Sequence, residues 1–409
     1  MRAAAAWPRC LKPRPREVRR PRFIDPFQGS EIRRLVREFG SPLVILDCER
    51  VRLQWRKLRR ALPRVDLHYA LKPLPHPAVV QTVIAEGGFL DLATSGEVRL
   101  ARGLGVAPER CIHTHPIKRP EDIANALDFG VRTFVVDNPD EVRKFTRLAG
   151  EVRLLLRVSF RNPGAMVDLS RKFGCDPEDL LPLARLAADL GIGVAGLSFH
   201  AGSQTPDAAK HVEGVEACVK LMAAARRERL GAFDTLDIGG GFPIDYVQPV
   251  QDVGRFCAPL RAALARVPKR VRVIAEPGRY IVGPAAIGVA SVMGRAQREG
   301  RWWYYLDDGL YGSWSGQLFD HARYPVVPLR ADAERLPSVL AGPTCDSNDV
   351  VAENLMLPQL KPGDLVVGRA MGAYTWASAT EFNFYPRATV VAVNSRPGDA
   401  GAVSAPPNP

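Results

Sequence analysis

Val65-Asp66-Leu67-His68-Tyr69-Ala70-Leu71-Lys72-Pro73 decides how this chain is read. Up to Leu71 it is apolar, β-branched and aromatic enough for a buried strand, and Pro73 stops that strand at once. The lysine at its end has its stem in a packed core and its amine at the rim. Desolvation there is expected to lower the amine's pKa and make it a nucleophile towards carbonyl compounds. A strand-end lysine taken alone is more often a snorkelling surface residue. The rest of the chain has to decide.

Downstream, strand and helix patterns alternate. Strands are expected at Val65–Leu71, Phe89–Leu92, Cys111–Thr114, Thr133–Val136, Arg153–Ser159, Val194–His200, Thr235–Ile238 and Val271–Ala275, with helical patterns such as Pro75–Glu86 and Ala208–Glu228 between them. Eight such units fit a closed (β/α)8 TIM-like barrel, typically about 250 residues, better than an open sheet. No Gly-x-Gly-x-x-Gly follows the first strand, so a dinucleotide fold lacks its main support. From about Tyr280 the pattern changes to strand-like runs at Ile287–Val292, Trp302–Leu306, Asp364–Val367 and Ala388–Val393, joined by Gly- and Pro-rich turns. This predicts a C-terminal, mostly antiparallel β domain. Upstream, Ser30–Phe39 reads as a helix and Leu43–Leu46 as a strand that joins that domain. The expected division is a basic leader over 1–23, a lead-in over 24–46, the α/β barrel over 47–282, the β domain over 283–394 and a disordered tail over 395–409.

The net charge is +12, but the first 22 residues carry eight Arg and Lys against Glu17. The body is therefore near neutral and offers no nucleic-acid footprint. The leader lacks the apolar segment of a secretory signal, and its four prolines break any amphipathic transit helix. A disordered tail, or a start codon placed too far upstream, is the reading. No apolar run reaches the roughly 20 residues that span a bilayer. Seven scattered cysteines without a Cys-x-x-Cys pair argue against a zinc site and a disulfide framework, which makes reduced cytoplasm the expected location and no metal the expected content.

Reactive groups in such barrels sit at the carboxyl ends of the strands. Read in order, these ends supply Lys72, Asp91, His115, Arg157, His200, Gly239-Gly240-Gly241 and Glu276. Three glycines could be a plain turn, but they also let backbone N–H groups close on an anion, and their place after strand seven favours phosphate. His200 could be a core histidine. Beside Ser203 it suits a flat group lying over a planar ligand. Glu276 could merely pair with Arg279; alternatively it holds a heterocyclic nitrogen protonated, which makes the ring an electron sink and frees Arg279 for phosphate. In the β domain, Cys345-Asp346 puts a thiol beside a carboxylate in a Gly-Pro turn, and Asp320 is an acid among apolar residues.

Tyr69-Ala-Leu-Lys72, His200-Ala-Gly-Ser-Gln, Gly239-Gly-Gly-Phe-Pro, Glu276-Pro-Gly-Arg, Asp308-Gly-Leu-Tyr-Gly-Ser, Phe319-Asp-His-Ala, Gly342-Pro-Thr-Cys-Asp-Ser and Met371-Gly-Ala-Tyr374-Thr, in this order, resemble the fold-type III decarboxylases that use pyridoxal 5′-phosphate. The likeness is to ornithine decarboxylase and its bacterial lysine/ornithine relatives, from about Leu43 to Arg387. It implies that Lys72 carries the cofactor as a Schiff base, that Glu276 pairs with the pyridine nitrogen and that His200 stacks on the ring. Ser203, Gly240, Gly241, Arg279 and Tyr374 would hold the phosphate, Gly278 would also contact the cofactor, and Asp91 and Arg157 would act as buttresses. It further implies a homodimer with shared sites, in which Cys345 returns the proton to Cα of a substrate bound by the other subunit, and Lys172 and Asp349 bridge the interface.

Asp320 and Asp346, with Tyr311 nearby, would flank a terminal ammonium. L-ornithine is the first expectation and L-lysine the second; a D-diamino acid and meso-diaminopimelate follow. A catalytically inactive regulatory homologue is the rival of another class, although the cofactor and acid–base residues are all retained. Pro73-Leu-Pro75, His115-Pro116 and the bulky Phe382-Asn-Phe-Tyr-Pro386, with Trp314 and Trp376 near the site motifs, depart from the family pattern and are expected to reshape the substrate end.

Overall fold

A computed structural model describes residues 27–167, 170–330 and 334–396, and the backbone of 403–404. The basic leader lies outside the described residues, as does most of the C-terminal tail.

The chain starts with helix α1 (Gly29–Phe39) and strand β1 (Leu43–Asp47), then helix α2 (Cys48–Ala61), whose first turn is capped by Asp47 through the N–H groups of Glu49 and Arg50. Eight parallel strands then close a barrel: β2 (Val65–Ala70), β3 (Phe89–Leu92), β4 (Cys111–His113), β5 (Thr133–Val136), β6 (Arg153–Arg157), β7 (Gly193–Ser198), β8 (Thr235–Asp237) and β9 (Arg272–Ala275), with β9 pairing back onto β2. Ile112, Val135, Leu155, Ala195 and Ile274, one from each of five strands, form a compact apolar cluster of their own. Their strand neighbours, such as Phe134, Leu154, Leu156 and Val273, belong to the larger core shared with the helices. This two-sided burial is why the strands read as nearly continuous apolar runs.

The second sheet is mostly antiparallel. Strand β10 (Ala286–Arg298) is its long spine. Its first half lies against β1 and its outer half, beyond a bulge between Val292 and Gly294, against β11 (Arg301–Leu306). Strands β12 (Val326–Pro328), β13 (Leu336–Ala341), β14 (Val350–Leu357), β15 (Leu365–Gly368) and β16 (Thr389–Val393) complete it, in the order β14-β13-β11-β10-β1-β16 with β15 and β12 branching from β10. Strand β1 is therefore flanked by β10 on one edge and by β16 on the other, and all five of its residues are buried. In the tail expected to be disordered, Val403–Ser404 forms a short strand on β16. No helix among the described residues is long and apolar enough to cross a membrane.

Candidate active site

A cavity of ≈ 250 Å³ opens at the carboxyl ends of the barrel strands, walled on its far side by the β domain. Lys72, two residues past β2, reaches it together with His200 after β7, Gly240 and Gly241 after β8, and Glu276 just past β9. Ser203, Gly278, Arg279, Asp320 and Tyr374 complete the polar lining. Asp91 and Arg157 stand behind it, close enough to Lys72 to act on its charge.

Lys72 is exposed to the cavity, with its charge set by the groups around it. The expectation that burial lowers its pKa is overturned. Desolvation does push it down, but Tyr374, Asp91 and Glu276 together outweigh this, and the net shift is upward. Its carboxylate neighbours respond in kind. Burial, reinforced by Glu276, pushes Asp91 up to about 8, against the pull of Lys72. Asp91 also accepts a hydrogen bond from the Thr114 hydroxyl.

Glu276 is pushed well above the ordinary carboxyl range by burial and by Asp237 beside it. Asp237, at the end of β8, accepts from the Gly239 N–H at 2.8 Å, while its Oδ2 finds no donor unless one of the two carboxyls carries a proton. Burial raises Asp237 to about 6. The two acids suit a site that shares a proton. Sequence reasoning missed Asp237, which looks like an ordinary residue within Leu236-Asp-Ile.

His200 is kept neutral by burial and by the nearby charges of Lys72 and Arg157. Its Nδ1 accepts from the Gly202 N–H at 3.0 Å, which assigns the ring proton to Nε2 and fixes the ring plane.

The anion end is built around Arg279. Its guanidinium donates to the hydroxyls of Tyr246 (2.7 Å) and Ser203 (3.0 Å) and lies 4.7 Å from the Tyr374 ring centre. Although burial opposes the charge, Tyr246, Asp320 and Tyr374 raise the arginine's pKa further. Pro73, a departure from the family pattern, packs where a side chain on Gly278 would stand and accepts the Tyr374 N–H at 3.0 Å. It ties the lysine loop to this end of the site. Sequence reasoning missed Tyr246, five residues past the triple glycine in an apolar loop.

Asp320, expected to flank the far end of a substrate with Asp346, forms an ion pair with Arg279 in this structure. Ser203 and Tyr246 are neutral, so a buried cation takes the nearest carboxylate. Asp346 lies in a separate surface cleft region, where its carboxylate accepts from the Tyr311 hydroxyl, and Tyr311 stacks on Phe382 at 4.4 Å. The chain thus keeps Cys345, Asp346 and Tyr311 out of its own cavity; Cys345 is exposed.

Asp349 is buried and accepts from Leu310 N–H (2.7 Å) and from the Thr344 N–H and hydroxyl (3.1 and 2.7 Å), which braces the loops carrying Tyr311 and Cys345. Lys172 is exposed beside Phe173, and among the described residues no ion pair joins it to Asp349. Trp314 and Trp376 are buried outside the cavity lining and Phe384 is 98% exposed, so none of the three shapes the pocket of its own chain.

The donor set fits pyridoxal phosphate: a lysine amine, a neutral imidazole fixed in plane, a carboxyl pair and an arginine-centred anion site. Asp320 supplies the negative charge at Arg279 in this structure, at the position a phosphate would take. The N–H groups of Gly240, Gly241 and Gly278 donate to no other described residue.

Comparison with known proteins agrees. The pyridoxal binding domain of the pyridoxal-dependent decarboxylases matches residues 48–283. Lysine/ornithine decarboxylase of Selenomonas ruminantium is 34% identical over 364 residues, 88% of this chain and 92% of that protein. Among solved structures, lysine/ornithine decarboxylase from Vibrio vulnificus complexed with putrescine superposes with a TM-score of 0.86 at 52% identity, covering 90% of this chain and 99% of the other. The arginine decarboxylase of Paramecium bursaria Chlorella virus bound to agmatine gives 0.84 at 27%, over 90% and 100%. The chain accordingly belongs to the pyridoxal-dependent decarboxylases, in the branch that acts on basic amino acids, and is an amino-acid carboxy-lyase that uses pyridoxal 5′-phosphate.

Proposed function

We propose that this enzyme removes the α-carboxylate of a short diamino acid, L-ornithine first and L-lysine second, to give putrescine or cadaverine. The observation that carries this is Asp320, an acid in the wall of the Lys72 cavity. A terminal ammonium suits it, and a distal carboxylate, as in diaminopimelate, is repelled. The likeness to a decarboxylase solved with either diamine supports both substrates. One methylene separates them, which is worth about 1–3 kcal/mol of discrimination.

Bound in the cavity, the cofactor supplies an electron sink for the pair left when CO2 departs. The protein's part is positional and protonic. Lys72 would be the residue that holds the cofactor through its amine. His200, neutral and planar, backs the ring. Glu276 keeps the ring nitrogen protonated, with Asp237 as the neighbour that tunes it. Arg279, Ser203, Tyr374 and the Gly240, Gly241 and Gly278 N–H groups would hold the phosphate, and Asp320 would then be available to the substrate's far amine. Asp91 and Arg157 set the field around Lys72.

The proton delivered to Cα comes from the thiol of Cys345 of the partner subunit, with Asp346 of the partner subunit at the amine end. This accounts for Cys345 being exposed on its own chain. The unit is then a homodimer with shared sites. A cytoplasmic location and a place in polyamine synthesis accord with such a product.

CO2 release from L- and D-ornithine, L-lysine, L-arginine and meso-diaminopimelate tests the reading. Turnover of L-ornithine or L-lysine is expected. Activity on diaminopimelate alone overturns the argument from Asp320, and inactivity on all of them, with no cofactor absorbance, favours a regulatory homologue.

A further inference from the structure

The triple glycine has a support that the reaction chemistry does not require. Each of its carbonyls is drawn into a hydrogen bond: Gly239 O accepts from the Glu276 N–H (2.8 Å), Gly241 O from the Thr205 N–H (3.0 Å), and Gly240 O from the imidazole Nε2 of His211 (2.8 Å). Two of these partners are backbone groups. His211 is the side chain among them.

Gly239 (φ 65) and Gly241 (φ 95) stand in the left-handed region on either side of Gly240. Handedness that changes along successive residues makes neighbouring N–H groups converge on an anion. A Cβ on Gly240 would come within 2.6 Å of the Glu276 carbonyl oxygen, so the peptide has little room to move. Its remaining freedom is rotation about its own axis, and a fixed carbonyl removes that. His211 is well placed to fix it. The residue lies in the first turn of helix Ala209–Arg227, is fully buried, stacks on Phe242 at 5.4 Å and meets the edge of Phe256 at 5.8 Å. A carbonyl only accepts, so the ring proton is on Nε2, while Nδ1 finds no partner in its apolar surroundings.

We propose that His211 is a positioning residue for the phosphate end of the cofactor: by holding the Gly240 carbonyl it fixes the plane of the Gly240–Gly241 peptide and so aims the Gly241 N–H at the phosphate, without touching the cofactor. The inference rests on the cofactor assignment above.

The test uses the full-length enzyme, stripped of cofactor and titrated separately with pyridoxal phosphate and with pyridoxal, which lacks the phosphate. His211→Phe keeps a flat ring among Phe242 and Phe256 but has no donor. It is expected to weaken pyridoxal phosphate binding about tenfold and to leave pyridoxal binding unchanged. His211→Gln, whose amide restores a donor, is expected to recover most of the loss. Equal weakening for both ligands, or none for either, overturns the proposal, because a general packing defect does not distinguish them. If the wild type binds neither, the cofactor assignment fails with it. Should His211→Phe not fold, the nitrogen shifts of 15N-histidine-labelled wild type decide the matter. A neutral ring protonated at Nε2 is expected, and a proton on Nδ1 overturns the proposal.

Discussion

The carboxylate of Asp320 lies directly on the guanidinium of Arg279, both of them buried in the wall of the cavity that holds Lys72. An arginine with two neutral hydroxyls for its other partners needs one anion. On the proposed reading a phosphate would compete with Asp320 for it, and loading the cofactor would free the acid for the substrate.

Asp320→Asn should then act differently on the two forms. In the stripped protein it leaves a buried cation without its counter-charge, a loss of about 3 kcal/mol. In the loaded protein the phosphate supplies that charge. Thermal melts are expected to show a larger drop for stripped than for loaded enzyme, alongside a raised KM for the diamine substrate. Equal drops would mean that the pair has no part in loading.

Acid sensitivity follows from the histidines. Burial holds His68 at about 3, His76 at about 4, His113 at about 3 and His211 at about 4, all below the ordinary value near 6.5. Their neutral forms belong to the folded state, and in the unfolded chain they take protons below about 6.5. The stability they contribute is complete above that pH and is lost as the pH falls towards 4, by up to about 3 kcal/mol for each. Unfolding followed by circular dichroism should set in as the pH falls below 6. His68→Phe, whose ring can still stack where His68 meets Phe89 at 4.8 Å, should move the midpoint to lower pH. A midpoint that does not move would remove His68 from the account.

Cys345 and Lys72 should complement each other across subunits. Neither Lys72→Ala nor Cys345→Ala is expected to be active alone. Mixed in equal amounts and allowed to exchange, they should recover about one quarter of wild-type activity, because half the dimers are hybrids and each hybrid has one intact site. No recovery, with hybrid dimers confirmed by mass, would place the thiol in its own chain's cavity.

The barrel was readable because parallel strands covered on both faces become short apolar runs, and residues such as Lys72, His200 and Glu276 follow those runs directly. The β domain was less so. Strand β12 ends at Pro328 and β13 contains Pro337, while β14 carries Glu353 and Asn354 on an exposed edge; each lowers a strand signal that tertiary pairing then restores. At the site, sequence named most of the groups that line the cavity, together with Cys345, Asp346 and Tyr311, which lie outside it, but not Asp237, Tyr246 or His211. Asp237 ends β8 as an ordinary-looking strand residue, and His211 lies nine residues past Gly202, the nearest motif glycine in the sequence. The charge of Lys72 depends on Tyr374, Asp91 and Glu276, which come from three separate parts of the chain. No local pattern records that meeting.

Strand β1 sets a problem of timing. On the ribosome Leu43–Asp47 emerges before any barrel strand, yet its partners β10 and β16 are made only after the whole barrel has appeared. A five-residue segment, fully buried at the end, must wait through that interval with both edges open. The enzyme is thus fastened last at the point where it begins, and a nascent chain released early would carry a sticky strand where the finished protein has its central seam.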